Sequence, residues 1–361
     1  MTTSAGDAFN KWMPAIGRSL SGILVLAILS CFSSPARGQT ATTAYLKKSD
    51  EWFRSAEGRE ITANILSWQS VLGSWPKNQD NTRKKFTGEP KKIEGTFDNR
   101  ATTDEIRFLA RAFQATHDEK CHEAAVKGIN LILKAQYPNG GWPQYYPPPK
   151  KSYNKFITFN DDSMVRLLEL LREVSSSADF AFLDSALRKA AGQAFDRGID
   201  CILKCQVKVN GQLTVWCAQH DDVDLSPRAA RTFELASLSG GESAGILRLL
   251  MTLDHPSPEV ERAIRAGAEW FEKVKITGVR YEIVDHAHKL VPDASAPPIW
   301  ARFYDIETGK PLFADRDGVK RWNVSELGDE RREGYAWYGV WGKQVAREYA
   351  AWLKKRPAQP E

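Results

Sequence analysis

Asp98 with Asn99, Asp161 with Asp162, and Arg231 each stand ahead of an amphipathic run, and this shared placement is the first sign of a site. The runs carry apolar residues at helical spacing: Ile106, Leu109, Ala110 and Phe113; Met164, Val165, Leu167, Leu168 and Leu171; Ile246, Leu247, Leu249 and Leu250. If equivalent helices run the same way, the residues before their N-termini gather at one end of the fold. A capping acid stabilises a helix by roughly 0.3–1 kcal/mol. One cap accounts for one oxygen, not for several acids at equivalent places. The aspartates therefore suit a hard, oxygen-seeking cation, or a carboxylate pair, Asp161 with Asp98, of the kind that hydrolyses glycosides.

Other chemistries find no support. The six histidines form no HExxH pair, and neither a Gly-x-Ser-x-Gly elbow nor a phosphate loop occurs. The net charge of +5 arises from 50 basic and 45 acidic side chains spread along the chain, so nucleic acid is not implied. A locally basic cleft for an acidic polymer stays open.

A repeat must position these residues. Segments beginning at Gly128, Gly198 and Gly267 align, and so recur at about 70 residues, the length of a helix pair with its loops. Gln69, Gln136 and Gln206 each lead toward a loop: Gly73-Ser74-Trp75-Pro76, Gly140-Gly141-Trp142-Pro143, and Gly211 to Trp216. Thr102 with Glu105 and Ser239 with Glu242 read as capping boxes, and Asn160 or Asp161 as the cap before Met164. The expected architecture is mainly α, an α/α toroid of repeated helix pairs. From about Val279 onward, long loops and short strands are expected to close one face of the same domain.

The chain resembles the family 10 pectate lyases. The matching segments include Trp75-Pro76-Lys77-Asn78, the run from Thr96 to Thr103 with Asp98-Asn99, Gly140 to Pro147, and Ile157 to Met164 with Asp161-Asp162. They continue through Ala230-Arg231-Thr232-Phe233-Glu234, Trp300-Ala301-Arg302-Phe303-Tyr304, Arg316-Asp317-Gly318, and Glu330 to Gly339 with Tyr335. Arg100 stands where the family commonly has glycine, and Ser74 replaces the second glycine of the first loop. The resemblance implies calcium-dependent β-elimination on pectate, a chain of galacturonates. Removing the C5 proton builds a second charge beside the sugar carboxylate, so cation must be supplied before base. The implied calcium ligands are Asp98, Asp161 and Asp162, and the implied base is Arg231, its pKa lowered by calcium and neighbouring arginines. If Arg231 is only a charge clamp, Lys289 or a calcium-bound hydroxide would have to act. Arg302 and Arg316 are implied to bind uronate carboxylates, with Lys77, Asn78, Asn99 and Tyr335 as further cleft residues. Most tryptophans of a helical toroid belong to the core, and Trp75 and Trp142, which lie in loops, are read either as sugar-stacking platforms or as core. A glycoside hydrolase and a non-catalytic binder of acidic glycans are the alternatives.

Leu20 to Phe32 is the one long apolar run. It is shorter than the roughly 20 residues a membrane span needs. Lys11 and Arg18 precede it and Ala36-Arg37-Gly38 follows, so residues 1–38 read as a signal peptide and 39–361 as a single catalytic domain of a secreted or periplasmic monomer. Ile28-Leu29-Ser30-Cys31 loosely resembles a lipid-attachment box, which makes anchoring at Cys31 the alternative. Cys121, Cys201, Cys205 and Cys217 are expected as buried thiols, with a Cys205–Cys217 bridge as the alternative.

Overall fold

The computed structural model describes residues 41–356. The signal peptide expected at 1–38, and with it Cys31, lies outside them. Ten α-helices are described: α1 Asp50–Arg54, α2 Ala56–Ser67, α3 Thr103–Thr116, α4 Glu119–Ala135, α5 Ser163–Ser176, α6 Ser185–Cys205, α7 Gly240–Met251, α8 Pro258–Lys273, α9 Asp329–Glu333 and α10 Trp341–Lys354. The fold is mainly helical.

The period seen in the sequence is a period of hydrogen bonds. Gln69, Gln136 and Gln206 donate from Nε2 to the carbonyls of Ala124, Ala194 and Ala263, so each ties the end of one helix to the next helix of its series. Nε1 of Trp75, Trp142 and Trp216 donates to the carbonyls of Ile65, Ile132 and Ile202. Trp300 repeats that bond to Phe271, a fourth instance with no Gly-Trp signature to announce it. Within this frame α3 packs on α4, α5 on α6 and α7 on α8, while α3, α5 and α7 form one series and α2, α4, α6 and α8 another. The helix α10 packs on α7 and α8.

The first series is the more deeply buried. In α5, Leu167, Leu168, Leu170, Leu171 and Val174 are all fully buried, more than one amphipathic stripe requires. The repeat glycines let the paired helices approach. A Cβ on Gly128, Gly198 or Gly267 would run into the side chain of Ile106, Leu168 or Leu247, respectively, on the partner helix. Gly198 is the tightest, since its Cβ would lie 2.4 Å from Leu168 Cδ2 and 3.0 Å from Trp142 Cζ3. Gly198→Ala is therefore expected to destabilise the fold by about 1–3 kcal/mol, although alanine is the better helix former. A urea melt measures it, and an unchanged midpoint would contradict the packing argument.

Past Val279 the expected short strands are present. The longest pair, Val279–Val284 with Ala287–Pro292, forms an antiparallel hairpin, and Leu238–Ser239 pairs with Phe303–Tyr304. That region also holds α9 and α10, which the sequence reading passed over. All four described cysteines are free and buried, so Cys205 and Cys217 are not bridged.

Candidate active site

Two short turns meet where the repeat predicts. Asp98–Arg100 ahead of α3 packs on Asn160–Asp162 ahead of α5, and the latter also packs on α7. Four non-glycine residues in these turns have positive φ: Asn99 at 52°, Arg100 at 68°, Asp161 at 52° and Asp162 at 60°. Such backbone is uncommon outside glycine and concentrates at functional sites. Arg100 thus adopts the conformation that the family's glycine would take freely. The turns border a cavity of about 870 Å³, within the range of ligand sites.

Asp161 and Asp162 line this cavity together with Asn78 and Asn99. The Asp161 carboxylate accepts from Asn160 Nδ2 at 2.8 Å and lies 3.3 Å from Arg302 Nη2. Asp162 occupies the cap position of α5 but makes no side-chain cap bond, so the expected Asn160 or Asp161 cap is not formed. Its carboxylate lies 3.4 Å from Arg166 Nη2 and sits where a Cβ on Gly245 of α7 would otherwise stand. Burial pushes the Asp162 carboxyl up to about 6, against the pull of Arg166 and with the help of Glu242, Glu169 and Asp161.

Asp98 is placed differently. It is almost completely buried, and its Oδ2 is ion-paired with Lys77 and accepts from Gln144 Nε2 at 2.9 Å. Its Oδ1 is buried and has no hydrogen-bond partner. Among the described residues no three His, Cys, Asp or Glu side chains stand together as a metal-ligating group, so the three aspartates expected as one cluster are not gathered at one point. In kind they still fit calcium. All are oxygen donors, Asp98 keeps an unpartnered buried oxygen, and two carboxylates crowd the cavity wall.

The same cavity also carries cationic side chains. Arg231 donates through Nε at 2.8 Å and through Nη2 to the carboxylate of Glu234, while its Nη1 has no partner among the described residues. The bond to Glu234 raises the Arg231 pKa, outweighing burial. Glu234 thus acts against the lowering that calcium and neighbouring arginines are expected to give. Tyr335 donates its hydroxyl to the same Glu234 at 2.7 Å. Its ring lies within 6 Å of the guanidiniums of Arg231, Arg302 and Arg331, at 5.7, 5.0 and 5.9 Å. Burial opposes the charge of Arg302, but Glu242 and Asp161 more than offset it and hold its pKa high. Arg302 Nη2 is ion-paired with Glu242, and its Nε is buried without a partner.

Of the expected site residues, the structure brings Asn78, Asn99, Asp161, Asp162, Arg231, Arg302 and Tyr335 onto one cavity. Others do not line it. Lys77 is drawn to Asp98, and Arg316 is an exposed side chain whose fork is taken by Glu330 at 2.9 Å for both bonds. Lys289 is on the Ala287–Pro292 strand, paired with Asp285 at 3.2 Å. Trp75 and Trp142 are fully buried and belong to the core, not to a sugar platform. The cavity adds Arg166, Glu242, Arg248 and Trp341, which the sequence reading left unassigned. Arg166 could have been found, since it sits one helical turn beyond Asp162. Glu242 was read only as half of a capping box, yet its carboxylate binds the Ser239 hydroxyl and Arg302 rather than the cap backbone.

The family model for pectic acid lyase matches residues 69–346. Two solved structures of a family 10 polysaccharide lyase from Cellvibrio cellulosa are similar to the chain, each with 36% sequence identity and a TM-score of 0.76. One, an aspartate-to-alanine mutant in complex with trigalacturonic acid, covers 86% of this chain and 96% of its own. The other covers 87% of this chain and 96% of its own. No curated protein matches the chain. The chain belongs to the pectic acid lyase family, and its enzyme class is that of a pectate lyase, a carbon–oxygen lyase acting on polysaccharide.

Proposed function

We propose that residues 1–38 export the chain and that residues 39–361 form one catalytic domain, its helix pairs closed into an α/α toroid. The domain cleaves polygalacturonate by calcium-assisted β-elimination and leaves 4,5-unsaturated ends. The observation that carries this reading is one cavity lined both by Asp161 and Asp162 and by Arg231 and Arg302. Calcium, when bound, neutralises the substrate carboxylate next to C5 and so makes that proton removable.

Asp161 and Asp162 would hold the ion from the cavity wall, and Asp98, buried off that wall, would join them only by bringing its Oδ1 toward it. Arg302, kept charged by Glu242, orients a uronate carboxylate with Nη1, the end of its fork that neither Glu242 nor Asp161 engages. Asn78, Asn99 and Tyr335 border the same space and contact the sugar. Lys77 and Arg316 stand further back. Lys77 fixes Asp98, and Arg316 meets a carboxylate only after exchanging it for Glu330. Arg231 takes the C5 proton through Nη1. Because Glu234 holds it as a cation, its neutral fraction is small at neutral pH and rises tenfold per pH unit, so activity climbs steeply into the alkaline range.

The test is ultraviolet absorbance on polygalacturonate with and without a chelator. The expected result is an absorbance rise that the chelator abolishes and added calcium restores. Chain scission without absorbance, or absorbance indifferent to the chelator, would overturn the reading.

A further inference from the structure

Beyond Arg302 the cavity wall becomes aromatic. Trp341, which opens α10, lines it together with Arg248 of α7. Trp75, Trp142 and Trp216 are fully buried, with each indole N–H spent on a helix carbonyl. Trp341 is only partly buried, and its Nε1 makes no hydrogen bond among the described residues. Its ring rests on backbone, since a Cβ on Gly339 would fall 2.7 Å from Cε2. On the Arg302 side, a Cβ on Gly241 would lie 3.7 Å from Trp341 Cε2 and 3.9 Å from Arg302 Cγ. Glycine there leaves the floor between indole and guanidinium stem clear of side chain.

Arg248 completes the pair. It meets Glu348 of α10 through Nε alone, at 3.1 Å to each oxygen, which fixes the stem. Its two Nη nitrogens have no partner among the described residues. An aromatic face suits the C–H face of a pyranose ring, whose hydrogens carry partial positive charge toward the negative π-cloud. A planar fork with free donors suits the carboxylate of the same sugar.

We propose that Trp341 and Arg248 form a distal subsite for a further galacturonate of the polymer, beyond the residue held by Arg302, so that the α7–α10 side sets how long a chain is engaged. This rests on the pectate lyase reading and on Arg302 as a uronate-binding residue. The experiment compares kcat and KM on polygalacturonate and on trigalacturonate for the full enzyme, Trp341→Ala, Trp341→Phe and Arg248→Gln. Trp341→Ala and Arg248→Gln are each expected to raise KM on polygalacturonate about tenfold with kcat changed less than about twofold. The ratio of kcat/KM for polygalacturonate to that for trigalacturonate falls by a similar factor, and phenylalanine restores most of it. Equal losses on both substrates, no loss on either, or failure of Trp341→Phe to rescue overturns the subsite. If Trp341→Ala does not fold, Arg248→Gln at its exposed position decides alone. Failure of the underlying reading looks different, because the unsubstituted enzyme would then form no unsaturated product from polygalacturonate.

Discussion

Replacing Arg231 by alanine lowers turnover on polygalacturonate by about 10²–10⁴-fold, the loss typical of a missing general base, while binding of a saturated oligogalacturonate changes much less. Arg231 is placed for this, with one guanidinium nitrogen unpartnered among the described residues and the rest of the fork held by Glu234. Lysine rescues partly, because its ammonium loses a proton more readily but lacks the planar fork. Glu234→Gln separates the roles further. Glu234 stabilises the guanidinium cation, so removing its charge lowers the Arg231 pKa and moves the alkaline limb of the rate profile to lower pH. An Arg231→Ala enzyme that binds weakly but turns over normally at saturation would make Arg231 a clamp. Lys289 would not replace it, since it lies on a strand outside the cavity and pairs with Asp285.

The double substitution Asp161→Ala with Asp162→Ala abolishes activity at limiting calcium and regains part of it at high calcium, without loss of fold. Both carboxylates are on the cavity wall, where removing them leaves the leucine-rich face of α5 untouched. Stability is expected to hold for a further reason. An acid whose pKa is raised in the fold, as burial raises that of Asp162 to about 6, binds its proton more tightly folded than unfolded. Its charge therefore costs stability progressively as the pH rises from the ordinary aspartate value of 3.8 to about 6, with the full cost present above that, and alanine removes it. The same shift makes calcium binding weaken as the pH falls through about 6, where a proton competes for the carboxylate. Calcium titration of activity at pH 8 and pH 5.5 in wild type and variant checks both statements. Full activity of the variant at limiting calcium would remove the two residues from the metal site.

Much of this was legible before any coordinates, for a physical reason. Each repeat must satisfy the same helix-end carbonyls and pass the same close helix contact, so glutamine, tryptophan and glycine recur at matching places. Asp161 and Asp162 were singled out by their place ahead of a helix start, which does put them on the cavity, whereas Asp98 in the equivalent place is buried and held by Lys77 and Gln144. What stayed hidden depended on contacts distant in sequence. Trp75 and Trp142 sit in loops and looked available, but their indole N–H groups are tied to Ile65 and Ile132 and their rings are core. Trp341 looked no different in the chain, yet glycines at 241 and 339 leave it on the cavity. The helix α10 was missed because Trp341, Val345, Tyr349 and Trp352 are thinly spread among alanine and charged residues. Glu234 was invisible as the partner of Arg231, since a carboxylate three residues on in a non-helical stretch has no periodic signature.

Digestion of polygalacturonate in water enriched in heavy oxygen tests the eliminative reading most directly. Elimination breaks the C4–O bond by loss of the C5 proton and adds no water, so the new reducing ends and the unsaturated ends both form without heavy oxygen. The account predicts fragments whose masses sum to that of the parent, formed only when calcium is present. One heavy oxygen built into each cleaved bond, with saturated ends, would show hydrolysis and contradict it.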